Sequence, residues 1–169
     1  MAHWLPRLLK HRLLDEGDAR RALGAGASAR IAERVAASEA RHSGQIRVCV
    51  EAGLPLSYLR RGATPRDRAL AMFAKLGVWD TERNNGVLIY LLLAERAIEI
   101  VADREVNRHV DLVEWRRISE AMQVEFRRGG FEAGLSQAID AVDALLRQHF
   151  PRAPGEAQAN ELPDAPALR

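Results

Sequence analysis

Val87-Leu88-Ile89-Tyr90-Leu91-Leu92-Leu93 is apolar at nearly every position, and only Ala94-Glu95-Arg96 separates it from a second run, Ala97 to Asp103. An unbroken apolar strand has no solvent face, so it must be covered on both sides and belongs at the centre of a sheet. A connection this short closes a hairpin and cannot hold a parallel crossover, so the two strands are antiparallel neighbours. Upstream, Gln45 to Glu51 alternates Ile46, Val48 and Val50 with Gln45, Arg47 and Glu51. This period of two predicts a strand with one more polar face, as at a sheet edge. The long helical link from it to Val87 suits a parallel pairing. The reading is an α/β domain with a small mixed β-sheet covered by helices on both faces.

Outward from the strands, the apolar period changes to that of helices. Residues 1–17 form an N-terminal segment in which Trp4, Leu5, Leu8, Leu9 and Leu13 recur beside Arg7, Lys10 and Arg12, predicting a short amphipathic helix docked on the domain. A single Ala-rich helix is expected from Asp18 to about His42, with Leu23, Ala27, Ile31 and Val35 on one side and Ser43-Gly44 as its stop. Thr64-Pro65-Arg66-Asp67 supplies an N-cap, a proline at the first helical position and an acid in the first turn, opening a helix that buries Leu70, Phe73 and Leu76. Asp111 and Glu114 start another, presenting Leu112, Trp115, Ile118, Met122 and Phe126. After Gly129-Gly130 a last helix presents Phe131, Leu135, Ile139, Val142 and Leu146 as far as Pro151, which closes a core domain of residues 18–151. Residues 152–169 carry Pro154, Gly155, Pro163 and Pro166 without apolar periodicity and are expected to be a disordered tail.

Composition narrows the function classes. The 169 residues suffice for one domain that needs neither disulfide nor structural metal to fold. The one cysteine, Cys49, excludes an internal disulfide and a Cys-based zinc cluster, and suits a reducing compartment. No uninterrupted apolar stretch approaches the roughly 20 residues that span a bilayer, and the N-terminus mixes charge into its apolar residues. Neither a signal peptide nor a membrane anchor is read, and a cytoplasmic location is expected. With 25 basic against 23 acidic residues, the net charge of +2 produces no field that would steer the chain onto nucleic acid, and the few aromatics are not interleaved with Arg60-Arg61, Arg116-Arg117 or Arg127-Arg128 as stacking platforms. No nucleic-acid partner and no direct membrane insertion are expected.

The hairpin also places a candidate site. The loop entering its first strand and the loop leaving its second lie at the same edge of the sheet, so Asp80-Thr81-Glu82-Arg83-Asn84-Asn85-Gly86 should meet Asp103-Arg104-Glu105-Val106-Asn107. Asp80, Glu82, Asn84, Asp103 and Glu105 offer oxygens for a hard cation such as Ca²⁺ or Mg²⁺, while Asn85, Asn107 and Arg104 could hold a small polar or anionic ligand. Against this, Asn85-Gly86 is a common turn pair and oppositely charged loop residues often form weak solvated pairs. An EF-hand is excluded, because Gly86 falls one place late for its turn and Leu91 stands where its bidentate glutamate is required. The histidines His3, His11, His42, His109 and His149 are scattered, and no HExxH, GxSxG or phosphate-cradling loop occurs. No organic cofactor is expected.

Val78-Trp79-Asp80-Thr81-Glu82-Arg83-Asn84-Asn85-Gly86-Val87-Leu88-Ile89-Tyr90, followed by Ile98-Glu99-Ile100-Val101-Ala102-Asp103-Arg104, resembles the TPM-domain family, whose relatives include thylakoid-lumen phosphatase-like and photosystem-repair proteins. Trp115, Met122, Phe126-Arg127-Arg128-Gly129 and His149-Phe150-Pro151 look like its soluble bacterial branch, so the similarity spans about residues 28–151. The resemblance implies a three-layer α/β/α sandwich with an acidic cleft, divalent-cation binding in some relatives and acid phosphatase activity in a plant relative. It adds weight to Asp80, Glu82, Asn84 and Asp103, and Glu105 departs from the glycine many relatives have there. The leading expectation is an accessory or interaction domain that binds a cation or small polar ligand at this edge and acts through an unidentified protein partner, such as a membrane protein. A metal-assisted phosphatase and a ligand-free scaffold are the alternatives.

Overall fold

The computed structural model describes residues 4–153, 155 and 159–169, with the backbone only for Trp4 and Leu5; residues 1–3 of the expected N-terminal segment, and 154 and 156–158 of the expected tail, lie outside the described residues. The apolar runs form β1 (Gln45–Glu51), β2 (Gly86–Leu92) and β3 (Ala97–Ala102). β1 runs parallel to β2, with Gln45 opposite Gly86 and Glu51 opposite Leu92. β2 and β3 are antiparallel, joined by a 3-10 turn at Leu93–Glu95. A fourth strand, β4 (Ala167–Leu168), lies parallel to β1 on its other side, so the sheet is mixed with order β3-β2-β1-β4.

Two expectations fall together here. β1 is not an edge strand, since all seven of its residues are buried, and residues 159–169 are not disordered. The reason is polar satisfaction: a buried side chain that carries donors or acceptors needs partners, and the tail provides them. Gln45 Oε1 accepts the N–H groups of Glu161 and Leu162 at 2.8 and 3.1 Å. Arg47 donates to the carbonyls of Pro163 and Ala165. Arg169 then closes the ladder, its N–H donating to Val50 O at 3.0 Å and its carbonyl accepting from Ala52 N–H at 2.9 Å.

Helices cover both faces. On one, Ile46, Val48, Val87, Ile89, Ile98 and Ile100 share a core with α2 (Glu16–Leu23), α3 (Ala27–Glu39), α7 (Leu112–Arg127) and α8 (Phe131–His149). On the other, Cys49, Leu88, Tyr90 and Val101 pack with Leu59 of α4 (Leu56–Arg60), Met72 of α5 (Pro65–Lys75) and Leu162 of the tail. This is the three-layer α/β/α sandwich. The N-terminal helix α1 (Trp4–Arg12) docks through Leu8, which packs against the second core, and through Arg7, which donates to Glu95 at 2.7 Å and to Ala63 O at 2.6 Å.

Some helical details differ from expectation. The single helix predicted from Asp18 to His42 is two, because Gly24 and Gly26 adopt φ of 94° and 73°, and a capping box between Asp15 and Asp18 starts the first of them. α5 turns Ala69 and Met72 toward the sheet and keeps Phe73 and Leu76 half-buried against the second core, but leaves Leu70 49 % exposed. α7 leaves Leu112 71 % exposed.

Glu39, at the end of α3, accepts the Ile46 N–H at 2.6 Å, and burial pushes its pKa from 4.5 up to about 8, with Asp164 and Glu161 adding to the rise. Its stabilising contribution is fully present below pH 4.5 and is lost as pH rises through about 8. Buried His42 acts oppositely, its pKa lowered from 6.5 to about 4, so its contribution is lost as pH falls below 6.5. The two opposing slopes meet below pH 6.5, and above it Glu39 acts without that opposition. Urea unfolding between pH 6.5 and 8 is expected to show a loss of about 2 kcal/mol, largely removed in Glu39→Gln, which keeps an acceptor for Ile46. An unchanged slope in the variant would assign the loss to other groups.

Candidate functional site

The loop before β2 is built around two backbone constraints. Asn84 takes a left-handed conformation, φ 52°, and Gly86 runs so close to Val78 that a Cβ there would stand 2.1 Å from the Val78 carbonyl oxygen. Gly86 is therefore required by close approach, while the left-handed turn position is Asn84, for which asparagine is among the best-tolerated side chains. Thr81 Oγ accepts the Asn85 N–H at 3.1 Å, and Asn85, fully buried, donates through Nδ2 to Ser43 O at 2.9 Å. Asp103, after β3, caps a short helix where the sequence predicts a loop, α6 (Arg104–His109), by accepting the Arg104 N–H at 2.7 Å. Val106 and Val110, four residues apart and both buried, were its sequence signal.

The two loops meet. Asp103 N–H donates to Gly86 O at 2.8 Å, Glu105 N–H to Asn84 O at 3.2 Å, and the Arg104 guanidinium to Asn84 Oδ1 at 2.8 Å. Two side-chain oxygens here, Asn85 Oδ1 and Asp103 Oδ2, are buried and accept no hydrogen bond from the described residues. The Glu105 and Asn107 side chains are turned to other tasks. Glu105 pairs with Arg108 at 2.6 Å, and Asn107 donates to Ala102 O at 2.6 Å while accepting the Trp115 indole N–H at 3.2 Å. The Glu82 N–H donates to the Glu161 carboxylate at 2.8 Å. Asp80 is exposed, with its N–H on Gly77 O. Among the described residues no three histidine, cysteine or carboxylate side chains are placed to hold a metal together. Any cation held here would rely on amide and carbonyl oxygens around Asp103, a donor set suited to a hard ion.

A second polar cluster lies between α3 and α8. Ser38 Oγ donates to Asp143 Oδ1 at 2.9 Å and sits 2.9 Å from His42 Nε2. These are the residue types of a hydrolytic triad without its geometry: all three are buried, and the serine proton goes to the carboxylate instead of to the histidine. The cluster ties α3 to α8. Cys49 is likewise inert, its thiol pKa pushed up to about 12 chiefly by burial.

A family model for the TPM domain matches residues 18–145, the segment that carries β1 to β3 and both polar loops. The chain belongs to the TPM domain family. Among solved structures, this TPM domain is similar to the BA42 protein of the psychrophilic bacterium Bizionia argentinensis, at 28 % identity and a TM-score of 0.72, over 85 % of this chain and 92 % of that one. The N-terminal domain of a protein from P. gingivalis shares the fold at 21 % identity and a TM-score of 0.62, over 83 % of this chain and 95 % of that one. No curated protein matches. Among the described residues no helix is long and apolar enough to cross a membrane.

Proposed function

We propose that this TPM domain is an accessory module that binds a divalent cation or small polar ligand where the loop of Asp80, Glu82, Asn84 and Asn85 meets Asp103, Arg104, Glu105 and Asn107, and that it acts through a protein partner. One observation supports the reading: Asn85 Oδ1 and Asp103 Oδ2 are buried acceptors without a donor among the described residues. Such oxygens are costly to leave unsatisfied, and a hard cation satisfies them without needing a proton. Asp103 would supply the charge and Asn85 a neutral oxygen, with Asp80 and Asn84 on the adjoining loop as further donors. Arg104, held by Asn84, would orient an anionic group of the ligand. No nucleophile paired with a base lies in these loops among the described residues, so hydrolysis is not part of the proposal. A cytoplasmic setting belongs to the same reading, since the one cysteine is buried and free.

Titrating Ca²⁺ and Mg²⁺ separately into metal-stripped, isotope-labelled protein is expected to move the amide signals of Asn84, Asn85, Asp103 and Arg104. With so few carboxylates, the dissociation constant should lie at about 10⁻⁴–10⁻³ M. Asp103→Asn keeps an oxygen to cap α6 but removes the charge, and should weaken binding roughly tenfold. Signals unmoved up to about 10 mM of either ion would remove the cation from the proposal.

A further inference from the structure

Among the described residues the sheet has four strands, and one of its two edges is β3, whose only strand neighbour there is β2. In an antiparallel pair, hydrogen-bonded and non-bonded residues alternate. Because Asp103 N–H donates to Gly86 O, the residues of β3 that face away from β2 are Ile98, Ile100 and Ala102. Their outward carbonyls are partly occupied: Arg66 donates to Ile100 O at 2.5 Å and Asn107 to Ala102 O at 2.6 Å. Their outward N–H groups have no backbone acceptor among the described residues. The edge is thus rich in free donors and poor in free acceptors.

A groove of about 380 Å³ runs along this edge, lined by β3, by Arg66 of α5 and by Leu112, Trp115 and Arg116 of α7. Leu112 and its neighbour Val113 are 71 % and 70 % exposed, and Leu70, one turn beyond Arg66 on α5, is 49 % exposed. Arg116 has no ion-pair or hydrogen-bond partner among the described residues, and Arg66 shares Glu99 at 3.5 Å. Open backbone donors between apolar walls, with an unpaired guanidinium at hand, match a strand that brings carbonyls, aliphatic side chains and carboxylates. A second copy of β3 fits poorly, since it would bring occupied carbonyls to the open N–H groups and a second pair of arginines to the first.

We propose that the outer edge of β3 is a docking site for an extended, acidic peptide segment of a partner protein, which adds to the sheet as a further strand. This supplies the partner-facing surface of the function proposed above and rests on that reading only in assuming a protein partner. Main-chain pairing to Ile98, Ile100 and Ala102 gives affinity, Leu112 and Trp115 take an aliphatic side chain, and Arg116 selects a carboxylate.

The probe is a blocked hexapeptide alternating valine with glutamate, added to labelled full-length protein, with its valine–lysine counterpart as control. The acidic peptide is expected to slow exchange of the Ile98, Ile100 and Ala102 amides at least about tenfold, and Arg116→Glu, an exposed site that leaves the core intact, to weaken binding about fivefold or more. Unslowed exchange at these amides, or equal binding of the lysine peptide, would overturn the proposal. Protection that appears with protein concentration alone would overturn it in favour of a second copy. Shifts confined to Asn84, Asn85 and Arg104 would make the acidic peptide a ligand of the loop site, removing this surface while leaving the loop function standing.

Discussion

An Arg68→Met variant is expected to lose about 3–5 kcal/mol of unfolding free energy, because it strands a buried carboxylate. Glu51, at the end of β1, is 3 % exposed. Arg68 of α5 meets it through two parallel hydrogen bonds, Nε to Oε2 at 2.8 Å and a terminal nitrogen to Oε1 at 2.6 Å, and Tyr90 of β2 donates to Oε2 at 2.6 Å. The Tyr90 phenol keeps its proton, its pKa raised well above the ordinary value by burial and by the Glu51 charge. Removing Arg68 leaves Tyr90 as a single donor to a charge that water cannot reach, whereas removing the charge as well ends the conflict. Adding Glu51→Gln to Arg68→Met should therefore recover more than half of the loss, with the amide oxygen still accepting from Tyr90. Urea unfolding of the two variants checks this, and a double variant no more stable than Arg68→Met would show that packing of the arginine stem, rather than the charge, was lost.

Ending the chain after Asn160 is expected to cost at least about 4 kcal/mol, combining the lost burial of Leu162 with polar groups left without partners on β1. Gln45 would lose the two N–H groups it accepts from, and Arg47, 8 % exposed, would lose both carbonyls it donates to. The Ala52 amide, whose acceptor is Arg169 O, should become exchange-labile in the same variant. A truncated protein within about 0.5 kcal/mol of the full chain would mean that water replaces the tail on β1 at little cost.

That tail is also where reading by composition failed. Pro163 and Pro166 exclude helix, and the polar residues around them match a disordered segment, but Leu162 and Ala167-Leu168 are the apolar points at which it is pinned. The polar face of β1 was equally visible and misread for the linked reason. Alternation reports which side chains share a face, and says nothing of whether that face meets water or a segment more than 100 residues away that carries matching backbone groups. The candidate site divides in the same way. Its two loops were brought to one edge by the hairpin, a consequence of the short link between β2 and β3. The partners of Glu82, Glu105 and Asn107 were beyond reach, since each depends on a helix or tail position: Glu161, Arg108 and Trp115.

The sequence by itself determined the layered α/β architecture, the antiparallel hairpin and the helix-forming stretches, because the periods of two and 3.6 and the capping residues act over a few positions. Tertiary structure alone decided the strand order at the β1 side and which oxygens at the loop edge remain without a donor among the described residues. Each of these depends on contacts between residues far apart in the chain, where burial, and not local preference, sets the cost of an unpaired polar group.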